Sequence, residues 1–191
     1  MDTEQKRLLI KQAHRQPHAF RELYQIFFPR VYAYVAYRVG RKQDAEDLVS
    51  ETFLKVVKHI DDFEYQGEGS FSAWLFRIAR NEVNSFFRRN HRNPDFVPVD
   101  ELPDLTSSNI LPNDVVLRKE QFAKLRRLIG TLPPRRQEMI LFKFFGGMRN
   151  QEIAKILSLD ERTVASHLSR ALDDLQQKII DESVSEEKEL K

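Results

Sequence analysis

A chain of 191 residues with 31 Lys and Arg against 29 Asp and Glu has a formal net charge of only +2, so it is no general polyanion binder. It has no Cys, which excludes disulfides, thiol catalysis and every Cys-containing zinc site. Only 6 Gly against 14 Phe, with no run of alternating β-branched residues, disfavours sheet and points to an all-α chain large enough for one domain or two small ones.

The opening segment MDTEQKRLLIKQAHRQ is too polar for a secretory signal. No stretch approaches the roughly 18 apolar residues of a membrane span, so a cytoplasmic chain without membrane insertion is expected. The absence of Cys fits a reducing compartment. Apolar spacing predicts helices near 4–14, 18–39, 43–60 and 71–89, with the polar loop DDFEYQGEGS at 61–70 and Ser70 as a cap. Residues 93–114 contain four Pro among clustered Asp, Ser and Asn, and read as a linker. The expected organisation is two small helical domains, 1–92 and 115–181, joined by that Pro-rich linker and followed by an acidic tail, 182–191, that should fray. In the second domain helices are expected at 115–129, 134–145, 150–157 and 161–179, with Pro133 and Pro134 opening the second and Gly146 and Gly147 ending it.

Charge is segregated along this plan. Residues 41–68 carry a net −4, residues 71–92 a net +4, residues 135–155 a net +3 and residues 181–191 a net −3. Such alternation suggests one acidic face for a protein partner and two basic faces for a polyanion.

In helix 43–60, Leu48, Val49, Thr52, Phe53, Val56 and Ile60 form a broad inward face. Asp44, Asp47 and Glu51 line another side, followed by Lys55. These acids can be a solvated face stabilised by the helix dipole, a docking surface, or an acid–base pair. The last needs a pocket and distinct environments, and no metal ligand accompanies the carboxylates. The five His do not make a metal spacing, since Pro17 interrupts His14 and His18, and no phosphate-cradling Gly motif or nucleophile elbow occurs. No catalytic residue, metal or cofactor is therefore expected.

Helix 71–89 places Phe71, Leu75, Ile78 and Phe86 on one side and Arg77, Arg80, Asn84 and Arg88 on roughly the opposite arc, bordered by Trp74 and Asn81. Guanidinium groups neutralise phosphates, Asn pairs with adenine, and an aromatic ring stacks on an unpaired base. A merely solubilising surface is the plainer alternative, and Trp74 is expected to be at least half a core residue. The loop 63–70, with Tyr65, can form a pocket for a single-stranded base.

The segment RNQEIAKILSLDERTVASHLSRALDDLQQKI has the pattern of a helix-turn-helix. Asn150 is the expected cap of a short helix with Ile153, Ala154 and Leu157 inward. Leu159 plugs the angle, and Asp160 caps a second helix whose inner face is Val164, Leu168, Ala171 and Leu175. Arg162, Ser166 and Ser169 face away, flanked by Thr163, Ala165 and Arg170. Small side chains let such a helix approach base edges; Arg162 can reach a guanine, while Thr163 and Arg170 can hold phosphates. Arg135, Arg136, Lys143, Arg149 and Lys155 add positive charge around it.

Taken together, DAEDLVSETFLKVVKHIDDF, then GSFSAWLFRIARNEVNSFFRR, then LPPRRQEMILFKFFGGMRNQEIAKILSLDERTVASHLSRALDDLQ resemble the bacterial RNA polymerase sigma factors of the sigma-70 superfamily, in the extracytoplasmic-function (ECF) group. The third segment alone also fits a stand-alone helix-turn-helix transcription regulator. The resemblance implies a non-enzymatic polymerase subunit for promoter recognition and strand opening. It implies that Asp44, Glu46, Asp47, Glu51 and Phe53 grip the clamp helices of the largest polymerase subunit, and that the second domain meets the flap of the second-largest subunit. It further implies that Tyr65, Trp74, Arg77, Arg80, Asn81, Asn84 and Arg88 contact the −10 element, with loop 63–70 capturing a flipped base. Arg149, Arg162, Thr163, Ala165, Ser166, Ser169 and Arg170 would serve the −35 duplex. Members of the group are commonly held inactive by an anti-sigma factor. The chain departs from the family pattern at Ser50, Val57 and Ser85, and reads RTVASHLSRA where GTVKSRLxRA is usual, so Arg162, Ala165 and His167 alter the −35 surface.

Overall fold

The computed structural model of the chain describes residues 3–13, 15–90 and 124–189. The expected linker 93–114, the start of the helix expected at 115–129, His14 and His91 lie outside the described residues. The described fold is all-α.

The first body contains α1 (Thr3–Ala13), α2 (Pro17–Val39), α3 (Lys42–His59) and α4 (Ser70–Arg89), with a 3₁₀ turn at Ile60–Asp62. Helix α2 opens on Pro17, whose missing N–H costs nothing in a first turn. It ends at Gly40, which adopts φ 77° and donates its N–H to the Ala36 carbonyl. Its buried residues, including Leu23, Phe27, Val31, Tyr34, Val35 and Val39, make it the central element against which α1, α3 and α4 pack. Helices α3 and α4 are further tied by a polar pair. Glu82 is buried, and Lys55 of α3 reaches over to donate to its carboxylate at 2.5 Å.

The second body contains α5 (residues 124–130 of it described), α6 (Pro134–Ile140), α7 (Asn150–Leu157) and α8 (Glu161–Glu189). The single helix expected over 134–145 instead changes pitch, and Leu141–Phe145 wind as a π turn. The wider turn brings position 146 against its own preceding carbonyl, where a Cβ would lie 2.6 Å from the Phe142 oxygen, so the site takes Gly. The short helix α7 has Arg149, not Asn150, at its N-cap; the Arg149 N–H donates to the Glu152 carboxylate at 2.7 Å, and Asn150 instead accepts from Lys143 at 3.1 Å. Ser158 turns the chain with φ 55°, and Leu159 packs against the core in the angle between α7 and α8, as its spacing suggests. Asp160 caps α8, accepting from the Thr163 N–H at 2.7 Å. That helix runs to Glu189, through the tail expected to fray, because Glu and Lys are good helix formers and no Pro or Gly interrupts them.

The two bodies meet across an apolar seam that the sequence did not specify. Tyr34, Phe76 and Phe142 are each fully buried there. The Phe142 ring stacks on Tyr34 with centroids 5.1 Å apart and meets Phe76 edge-on at 6.3 Å. Tyr37 lies against Phe145 at 5.9 Å and donates its hydroxyl to the Arg126 carbonyl at 3.3 Å. Burial pushes that phenol up to about 12.

Candidate nucleic-acid interface

Helix α3 supplies the acidic face. Leu48, Val49, Thr52, Phe53 and Val56 are buried, and the Thr52 hydroxyl is satisfied by donating to the Leu48 carbonyl at 2.7 Å. Glu46, Asp47 and Glu51 are exposed, and Asp44 is half-buried. Glu46 lies 3.9 Å from Lys42, and Glu51 lies 3.9 Å from Arg89 of α4; exposed pairs of this kind contribute about 1 kcal/mol at most. Phe53, expected at a docking surface, points inward with only 7% exposure, its ring 4.7 Å from Tyr24 and 6.4 Å from Phe28. It supports the surface from behind. Leu54 and Val57 instead stand in solvent at 66% and 52% exposure. Their signal in the sequence was that both fall off the inward three-and-four stripe.

Helix α4 supplies the basic face, with a wider inner stripe than predicted. Phe71, Leu75, Phe76, Ala79, Val83 and Phe87 are buried, while Ile78 and Phe86 are only half-buried at its margin. Asn81, Asn84 and Arg88 are exposed, and Arg88 donates to Ser85 at 3.3 Å. Two of the expected contacts are not free. Arg77 donates to the Lys155 carbonyl of α7 at 2.9 Å. Arg80 is engaged bidentately by Glu138 of α6 at 2.7 and 3.3 Å, and this hydrogen-bonded carboxylate holds its guanidinium above the usual Arg range.

Trp74 is half-buried, as expected, against Phe63 at 5.0 Å and Phe71 at 5.6 Å. Beside it opens a recess of about 290 Å³ bounded by Phe63, Ser70, Trp74, Arg77 and Lys155. Tyr65 does not line it; that ring is half-buried beneath the Arg7 guanidinium of α1 at 5.7 Å. The aromatic wall is thus Phe63 with Trp74. Gly69, immediately before α4, has φ 81°, and a Cβ there would collide with the Glu152 carboxylate.

On α8, Arg162, Ala165, Ser166, Ser169 and Arg170 are exposed along one side, and Val164, Leu168, Ala171 and Leu175 are buried on the other. Thr163 is the exception. Its hydroxyl donates to Asp160 at 2.6 Å, committing it to the helix cap and not to a phosphate. The same two donations from Thr163 hold the Asp160 carboxyl below the usual carboxylate range. Arg149 points across the seam and donates to Glu68 at 2.6 Å. Among the described residues no group of three or more His, Asp and Glu is placed to hold a metal ion, and no helix is long and apolar enough to cross a membrane.

Known proteins share both bodies. Residues 23–93 match the family model for sigma-70 region 2, and residues 122–175 match that for sigma-70 region 4. The ECF RNA polymerase sigma factor BldN of Streptomyces coelicolor is 35% identical over 165 residues, spanning 86% of this chain but 62% of that protein. The ECF RNA polymerase sigma factor RpoE of Cereibacter sphaeroides is 30% identical over 168 residues, spanning 86% of this chain and 88% of that protein. The sigma factor RpoE from Bartonella quintana, solved with the anti-sigma factor NepR, has the same fold, with a TM-score of 0.61 at 23% identity over 83% of this chain and 94% of that one. The ordered pair of matches sets aside a stand-alone helix-turn-helix regulator, which has no need of the first body. The chain belongs to the ECF group of the sigma-70 superfamily and is a sigma factor, the non-catalytic subunit type that directs RNA polymerase to promoters.

Proposed function

We propose that this chain docks on the clamp helices of core RNA polymerase through the outer side of α3, with Glu46, Asp47 and Glu51 supplying charge and Leu54 and Val57 apolar area. Helix α4 and loop 63–69 then take the −10 element as single strand. Asn81, Asn84 and Arg88 meet bases and phosphates, and the Phe63–Trp74 recess takes an unpaired base. The outer side of α8 enters the −35 major groove, with Arg162 at the base edges and Arg170 toward the backbone. The second body also meets the flap of the second-largest subunit, and an anti-sigma factor restrains the chain in the cytoplasm.

The observation that carries this reading is one scaffold holding an exposed Asn and Arg face on α4 beside an aromatic recess, together with an exposed acidic and apolar face on α3. The test is run-off transcription with core polymerase, paired with permanganate footprinting of unpaired thymines. Asn81→Ala with Arg88→Ala should lower strand opening at least tenfold while closed-complex occupancy stays near the parent's. Equal opening at matched occupancy rejects α4 as the strand-binding face.

A further inference from the structure

A second recess, of about 360 Å³, is lined by residues of α2, α4, α6 and α7. Arg38, Arg80 and Arg135 border it together with the single carboxylate of Glu138. Three guanidiniums against one carboxylate leave a surplus of two positive charges. The surplus falls mainly on Arg38. Arg80 engages both Glu138 oxygens, at 2.7 and 3.3 Å, whereas Arg38 reaches the carboxylate only at 3.7 Å. The Arg38 side chain is 14% exposed, and its Nε has no hydrogen-bond partner among the described residues. A guanidinium so enclosed is costly to bury unless an anion completes its bonds. Its position is already fixed, because it lies over the Phe87 ring at 5.9 Å. Arg135 is exposed and brings a second guanidinium to the same recess.

We infer that this recess is a binding site for a nucleoside diphosphate. The surplus charge matches a diphosphate, and Arg38 and Arg135 are the groups left to receive it, since Arg80 is spent on Glu138. The volume exceeds what a bare phosphate fills and falls within the range of small-ligand sites. Pro134 and Leu157 offer apolar surface to a base, and the exposed Asn84 amide offers a donor and an acceptor to its edge. Four helices contribute to the lining, so the recess is a notch for one nucleotide and not a track along which a strand runs. The site stands whether or not α4 meets the −10 strand.

The test is isothermal titration of the full-length chain with ADP, GDP, CDP and UDP in turn, and with inorganic pyrophosphate, all at matched ionic strength. At least one nucleotide should bind at a single site, tenfold or more tighter than pyrophosphate. Arg38→Gln with Arg135→Gln should weaken that nucleotide at least tenfold. Arg21→Gln with Lys58→Gln removes the same charge at exposed positions outside the recess and should leave its affinity unchanged. Because Arg38 is largely enclosed, Arg135→Gln alone is the second variant; its side chain is exposed, so the fold is kept and the loss should still be at least threefold. Asn84→Ala should weaken the nucleotide and leave pyrophosphate as it was. No binding by any of the four nucleotides overturns the site, as does binding that Arg135→Gln leaves intact. Equal affinity for nucleotide and pyrophosphate also overturns it, because the recess then recognises charge alone. A single-stranded DNA of about 12 nucleotides, a length within known site sizes, provides the last arm. If it binds through Arg38 and Arg135 while no mononucleotide does, the recess belongs to a strand and the inference fails.

Discussion

Replacing Phe142 by Ala tests whether the seam is a packed core or a loose contact. The side chain is fully buried, and its ring neighbours Tyr34 and Phe76 both belong to the first body. Truncating such a residue costs about 3–5 kcal/mol from lost burial and the cavity left behind. For a chain of this size each kcal/mol lowers Tm by about 2–4 °C, so a fall of about 6–20 °C is expected. Part of that loss comes from packing within the second body, so the decisive quantity is the coupling to Tyr34. A double-mutant cycle of Phe142→Ala and Tyr34→Ala, followed by urea unfolding, should show about 0.5–1.5 kcal/mol of interaction for a stacked aromatic pair. Additivity within about 0.3 kcal/mol refutes the seam, because rings that do not touch cannot couple.

Three further outcomes follow from the same geometry. Asp47→Lys, on the exposed side of α3, should weaken equilibrium binding to core polymerase at least tenfold with unchanged helical circular dichroism; equal affinity removes Asp47 from the interface. Arg162→Ala should cost about 1–3 kcal/mol at one −35 base pair if the guanidinium reads guanine, whereas a uniform loss across −35 variants with a shallower salt slope assigns it to phosphate. Asp160 has a carboxyl held low by Thr163, so its contribution is complete above the ordinary carboxylate range and disappears as pH falls through the lowered value. Asp160→Asn should therefore flatten the acid limb of thermal stability, and an identical acid limb in both proteins contradicts the cap.

Local patterns in the sequence were enough for the helices and for the helix-turn-helix, because their signals sit within a few residues. The inward stripe of α3, the Asp160 cap and Leu159 in the inter-helix angle all follow from spacing and cap chemistry. What spacing could not reach was pairing at long range. Arg80 looks like a solvent-facing cation on a helical wheel, yet its partner Glu138 is 58 positions away in the other body. The same holds for Arg77 with Lys155 and for Arg149 with Glu68. Phe53 illustrates the opposite failure, since a motif match says that a residue matters without saying whether it faces the partner or the core. Phe63 and Tyr65 are two residues apart in an irregular loop, where no periodicity tells which ring joins Trp74. The π turn at Leu141–Phe145 leaves room only for Gly at position 146, but in the sequence the glycine pair reads equally well as a plain helix stop.

Selection of promoters from a randomised DNA library, with this chain bound to core polymerase, tests the account most directly. It should enrich two separate elements at one fixed spacing, with the downstream element weakened by Asn81→Ala plus Arg88→Ala and the upstream one altered by Arg162→Ala. Enrichment of a single element that is the same with and without core polymerase, or no enrichment with competent core enzyme, contradicts promoter recognition by two bodies.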